Sequence, residues 1–172
     1  MHNKVVFRIA SGLLDASLAT LRFNFRGVGA STGEIPDGIE TEGGKQDVRD
    51  ALDYLASEYP GEEITLAGFS FGSRTGCEVA MNDDRVARLI SVGTPVDKYG
   101  DYDFLTAVTK PILFVHGDRD EFGSVASLRG LTDRIPHAEV VVFENCGHFF
   151  DGHLDDLRDT IRDWAQKELI HR

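Results

Sequence analysis

Cysteine occurs only twice in this 172-residue sequence, tryptophan once, methionine twice and proline five times. Cys77 and Cys146 offer neither a disulfide framework nor a metal-ligand spacing, so packing must hold the fold. No apolar run approaches the roughly 18–20 residues of a membrane span. Arg8 and Asp15 interrupt the apolar stretch near the N-terminus, which does not read as a secretory signal. Basic residues are also scarce: 18 Lys and Arg against 29 Asp and Glu leave a net charge of −11. So acidic a surface repels phosphate backbones and anionic lipid, which argues against nucleic acid or a membrane as partner. The expectation is a reduced, cytoplasmic protein in which residues 1–172 form one domain, with neither metal nor organic cofactor.

The residues present are those of an ordinary globule, 41% hydrophobic and 27% charged, and long enough to bury roughly 70% of the unfolded surface. Val6, Ile9, Leu13 and Leu14 recur at helical spacing over residues 3–17. Residues 19–25 then read as a strand, Leu21, Phe23 and Phe25 alternating with polar neighbours, stopped by the glycine-rich turn from Arg26 to Gly33. A loop runs to about Gly44, and Val48, Leu52 and Leu55 mark a second helix. Strands are read at 63–69, 86–92, 111–116 and 139–143. Helices are read at about 70–82 and 124–134, and on the closing stripe of Leu154, Leu157, Ile161 and Trp164. Strands and helices in alternation predict a three-layer α/β/α sandwich around a mostly parallel sheet of about five strands. In such a sheet ligands gather at the carboxyl ends of the strands.

The strongest chemical signal lies on that edge. Gly68-Phe69-Ser70-Phe71-Gly72 joins a strand to a helix, the context in which a Gly-x-Ser-x-Gly segment holds a serine hydroxyl above the sheet. The Phe71 N–H, at the helix start, is placed to stabilise an oxyanion. A serine hydroxyl is a weak nucleophile and needs a base with an orienting acid. His116-Gly117-Asp118-Arg119-Asp120 and Asn145-Cys146-Gly147-His148 follow the next strands. They offer Asp120 as the acid and His148 as the base, in the chain order expected of this architecture.

The segments from Met1 to Val6, Leu21 to Ser31, Gly68 to Gly72 and Gly147 to Phe150 resemble those of the α/β-hydrolase superfamily. They are most similar to the compact serine hydrolases related to dienelactone hydrolases, and the resemblance runs from Met1 to about Trp164. It implies Ser70, Asp120 and His148 as nucleophile, acid and base, with Asp118 the less suitable carboxylate. Dienelactone hydrolases proper carry a cysteine nucleophile, so a serine at 70 leans towards carboxylic esters. Family members carry three further strands ahead of the helix at Asn3, and the last of these leads into the loop that lends a second oxyanion N–H. By that comparison the chain is N-terminally shortened: a fragment, a minimal version, or a domain completed by another copy. In its absence strand 19–25 is expected to pair directly with 63–69. The altered edge is expected to favour a homodimer or larger homo-oligomer.

The resemblance implies cleavage of a small-molecule ester, and the short connections leave no room for a lipase-type lid. The alternative is a non-catalytic or barely active domain without a complete oxyanion hole. Arg26 reads as a tie between its turn and a neighbouring carboxylate. With Gly27 it is also a candidate on the oxyanion or substrate side. Tyr102, with Tyr99 and Phe104, either lines the substrate mouth or covers the sheet edge. Cys146 reads as a packed thiol.

Overall fold

The computed structural model describes residues 3–34 and 42–170. Helices α1 (Lys4–Asp15) and α2 (Glu42–Glu58) precede strand β1 (Ile64–Phe69), helix α3 (Phe71–Ala80) and strand β2 (Val86–Val92). A short 3₁₀ turn, Asp103–Ala107, leads to β3 (Ile112–Gly117), α4 (Val125–Thr132), β4 (Ala138–Phe143) and α5 (Leu154–Ile170). The loop expected before Gly44 lies mostly at 35–41, outside the described residues, as do Met1 and His2 of the first resemblance segment.

The strands form one parallel sheet in the order β1-β2-β3-β4. Successive residues of a strand face opposite sides, and both faces here are apolar. Ile90, Val92, Leu113 and Val115 turn to α1 and α5, whose Val5, Ile9, Leu157, Ile161 and Trp164 complete one core. Leu89, Ile112 and Phe114 turn to α2, α3 and α4, meeting Val48, Leu52, Cys77, Leu128 and Leu131. Ile112 through Val115 are at most 1% exposed, and each such side chain contributes roughly 1.5–3 kcal/mol. β3 is therefore the spine of an α/β/α sandwich. Helix starts follow from their caps: Asn3 Oδ1 accepts from the Val5 and Val6 N–H groups, and Ser124 Oγ accepts from Ser127 N–H. No helix among the described residues is long and apolar enough to cross a membrane.

The sheet has four strands rather than about five, because residues 19–25 join no ladder among the described residues. The strand expected at 19–25 from its alternating pattern, and its pairing with β1 expected in the absence of the family's intervening strand, are corrected. Alternation reports which side chains are buried, whereas a ladder also needs a partner strand in register. Phe23 and Phe25 pack into the core beneath α2 and α3, the Phe25 ring meets Phe71 edge-on at 5.1 Å, and Arg26 is tied to Asp47 on α2. Side chains anchor this segment to the helical layer, and among the described residues β1 pairs only with β2.

Candidate active site

Ser70 stands between β1 and α3 with φ 54° and ψ −122°, a conformation that a residue other than glycine adopts only when its surroundings enforce it. Gly68 is what permits the bend: a Cβ there would sit 2.3 Å from the Gly72 carbonyl oxygen. The Ser70 N–H donates to Val92 O at 3.0 Å, so the bend is continuous with the sheet. The Ser70 hydroxyl is thereby held at the N-terminus of α3, where the helix dipole and the first N–H groups favour negative charge.

The other two turns are stitched together. Asp118 N–H donates to Phe143 O at 3.0 Å and Arg119 N–H to Cys146 O at 2.9 Å, while Asp118 Oδ1 accepts from Cys146 N–H at 3.0 Å. Gly117 allows this closeness, since a Cβ there would lie 2.2 Å from Cys146 O. The N–H groups of Cys146 and Asn145 hold the Asp118 carboxyl below its ordinary value. Asp118 is a structural staple between the two turns.

Asp120 and His148 face each other across that junction. Asp120 Oδ1 accepts from Phe122 N–H at 2.9 Å, and Asp120 Oδ2 lies 2.8 Å from His148 Nδ1. A carboxylate oxygen accepts, so Nδ1 carries the proton and Nε2 presents a lone pair. Nε2 lies 2.9 Å from Ser70 Oγ, whose O–H donates to it. The imidazole is packed among Phe69, Phe122 and Phe149, with ring centroids 4.8, 4.6 and 5.2 Å away. Asp120 and His148 are buried. The arrangement can remove a proton from Ser70 and return it to a leaving group.

The remaining sequence candidates divide. Phe71 supplies the first N–H of α3, beside Ser70. Arg26 and Gly27 are bound to neighbouring groups. Arg26 N–H and guanidinium both donate to Asp47, at 2.8 and 2.7 Å, and Gly27 N–H donates to Thr32 O. Both backbone N–H groups are engaged, and the bonds to Asp47 bear out the reading of Arg26 as a turn tie. Tyr102 is 5% exposed, donates its hydroxyl to Pro95 O, and lies beneath the Arg74 guanidinium at 4.4 Å. It covers the sheet edge instead of lining the mouth, because burial and Arg74 hold it inward. Burial pushes the Cys146 thiol up to about 11 and the Cys77 thiol up to about 12, as suits packed, unreactive sulfur. A cleft of about 270 Å³ between Gln46, Arg49, Asp53, Glu78 and Asn82 contains none of Ser70, Asp120 or His148. Its Arg49 is already bound by Glu42.

Two further residues show their role only in the folded chain. Asp47 is one of several acidic residues on α2, and only the fold shows that it meets Arg26. His116 opens the segment that ends at Asp120, and its buried ring contacts the Asp120 turn.

A parallel sheet between two helical layers, with a strained serine at one strand end facing a histidine and an aspartate from two others, defines the α/β-hydrolase class of proteins. Residues 2–103 match the alpha/beta hydrolase fold family, and the chain belongs to it. An alpha-beta serine hydrolase homologue from Coxiella burnetii is 36% identical, with a TM-score of 0.83 over 95% of this chain and 76% of that one. XC6422 from Xanthomonas campestris, an α/β serine hydrolase without a lid, is 30% identical, with a TM-score of 0.84 over 98% and 75%. A protein of Rickettsia prowazekii is 29% identical across 95% of this chain and 71% of its own length.

Proposed function

We propose that this protein is a serine hydrolase of small carboxylic esters, with Ser70 as nucleophile, His148 as general base and acid, and Asp120 as the orienting carboxylate. The observation that carries the reading is the unbroken relay from Asp120 through His148 to Ser70, at 2.8 and 2.9 Å. Ser70 Oγ attacks the ester carbonyl as its proton passes to Nε2. The tetrahedral oxyanion forms beside the Phe71 N–H. His148 returns the proton to the departing alcohol, and an acyl group remains on Ser70. Water then enters, gives its proton to His148 and releases the acid. The lidless relative from Xanthomonas campestris supports a similarly open site here, suited to short, soluble esters.

With Arg26 and Gly27 engaged elsewhere, Phe71 is the oxyanion donor identified at this site. Such a donor is worth about 10²–10³ in turnover, so the N–H at Phe71 is central to the proposed rate. Labelling with a fluorophosphonate, read by intact mass and peptide mapping, tests the assignment. Modification at Ser70, absent from Ser70→Ala, supports it. An unlabelled wild-type protein without turnover of p-nitrophenyl acetate overturns it.

A further inference from the structure

We propose that His116 is a positioning residue for the same reaction, a second imidazole that holds the Asp120 turn in the geometry His148 requires. The inference rests on the functional reading above. His116 follows Ile112, Leu113, Phe114 and Val115 in β3 and is as buried as they are, at 0% exposure. An aliphatic side chain would suit that position, since burying a polar ring with unmet hydrogen bonds is unfavourable. His116 Nδ1 is one such unmet atom, buried and without a partner among the described residues. The other ring nitrogen explains the choice. Nε2 lies 2.6 Å from Gly123 O, and a carbonyl only accepts, so Nε2 carries the hydrogen. The same nitrogen is 3.9 Å from Asp120 Oδ2, the oxygen that receives His148 Nδ1–H.

His116 therefore acts on the Asp120 turn at two points. Its hydrogen bond fixes the Gly123 carbonyl at the far end of the turn. Its N–H also stands beside the carboxylate oxygen through which Asp120 orients His148. The turn's other contacts serve the same end: Phe122 N–H binds Asp120 Oδ1, and Phe122 O accepts from Asp97 N–H. Releasing Gly123 frees one end of this turn. Reacting groups tolerate little misplacement, a shift of about 1 Å having an effect of about 10² on rate.

A kinetic double-mutant cycle tests the proposal. His116→Leu should lower kcat on p-nitrophenyl acetate by about tenfold or more, leave KM within about twofold, and slow fluorophosphonate labelling of Ser70 by the same factor. His116→Gln, whose amide N–H can still reach a carbonyl, should recover most of that loss. In an Asp120→Asn background His116→Leu should have little further effect, because Asp120 is the group through which it acts. Equal losses in both backgrounds, or wild-type rates in a folded His116→Leu protein, overturn the proposal. The wild-type protein provides a readout that no variant's folding can obscure. Long-range ¹H–¹⁵N spectra should show His116 as the Nε2–H tautomer, and an Nδ1–H tautomer refutes the arrangement. Ser70-dependent hydrolysis by the wild type with an additive cycle removes this inference alone. Its absence removes the functional reading as well.

Discussion

Two glycine-rich turns follow apolar segments in this chain, one at Gly68–Gly72 and one at Arg26–Gly33, and they are anchored in different ways. The first is joined to its sheet by Ser70 N–H on Val92 O, and the neighbouring turns after β3 and β4 bond to one another across 27 or 28 residues of sequence. The second is held mostly by its own backbone, through Gly27 to Thr32, Val28 to Phe25 and Ser31 to Val28. Asp47, through Arg26, supplies its polar tie to a helix. Glycine content alone therefore says little about how rigidly a turn presents its groups. A turn becomes a platform for chemistry when backbone bonds from distant parts of the chain converge on it.

The largest effect that sharpens this contrast is chemical. Ser70→Ala and His148→Ala should each reduce esterase turnover by at least about 10⁴ while leaving the thermal midpoint nearly unchanged. Asp120→Asn should be severe but less complete, since it mainly misorients the imidazole. Substantial turnover of p-nitrophenyl acetate by Ser70→Ala would detach the activity from this edge of the sheet. Next in size is a steric test. Gly117→Ala forces a Cβ to 2.2 Å from Cys146 O. Overpacking of this kind costs about 1–3 kcal/mol or more, because backbone on both sides must move. Chemical denaturation should show that loss together with reduced fluorophosphonate labelling, as the Asp120 and His148 turns part. Gly130→Ala is the control, a helical position with nothing within 4 Å of the added carbon and no positive φ to strain it. A Gly117→Ala protein of wild-type stability would contradict the packing described.

The same contrast explains what the sequence revealed. Every helix and strand from β1 onward lies within a few residues of its expected span, because Gly, Pro and Asp punctuate runs of clear period. Ser70, Asp120 and His148 were legible because each ends or follows a strand, and parallel strands deliver their ends to one edge. Residues 19–25 were misread because Leu21, Phe23 and Phe25 alternate as a strand does, while the absence of a ladder partner leaves no mark on local sequence. Arg26 and Gly27 were offered as substrate contacts for their place at a turn. Whether an N–H is free depends on Asp47 and Thr32, and only the folded chain brings those within reach. Tyr102 stayed open between two readings for the same reason: an aromatic at a loop reads alike whether it faces solvent or lies under Arg74. His116 is the converse case, an apolar-strand position whose polarity has meaning only beside Gly123 and Asp120.

A smaller effect should separate the two turns directly. Asp47→Ala removes the acceptor for Arg26 and leaves every backbone bond near Ser70 in place. Amide exchange read by mass spectrometry should rise over residues 21–31 and stay level over 144–148. A uniform rise across both would mean that the Arg26 turn is as integral to the fold as the serine turn.

Acid provides the gentlest version of that test, because each turn carries a carboxylate whose charge holds it. Burial pushes Asp47 up, but the hydrogen bonds from Arg26 outweigh it and leave the carboxyl below its ordinary value. Asp118 is likewise held low by the N–H groups of Cys146 and Asn145. A carboxyl that is lower in the folded than in the unfolded state binds its proton more readily when unfolded. Its contribution to stability is therefore present above the unfolded value of about 3.9 and is lost as pH falls through the lower folded value. Both staples weaken in the same window, but their loss has different consequences. Asp118 shares its junction with Asp118 N–H on Phe143 O and Arg119 N–H on Cys146 O, neither of which titrates. Asp47 accepts all three of the Arg26 bonds, and the backbone bonds of that turn are internal to it rather than ties to α2. Between about pH 5 and about pH 3, after correction for intrinsic exchange, residues 21–31 should lose protection before residues 144–148. Asp47→Asn should show the loosened pattern already at neutral pH. Simultaneous loss in the wild type would place the anchoring of the Arg26 turn in its aromatic contacts, chiefly Phe25 on Phe71, rather than in the Arg26–Asp47 pair.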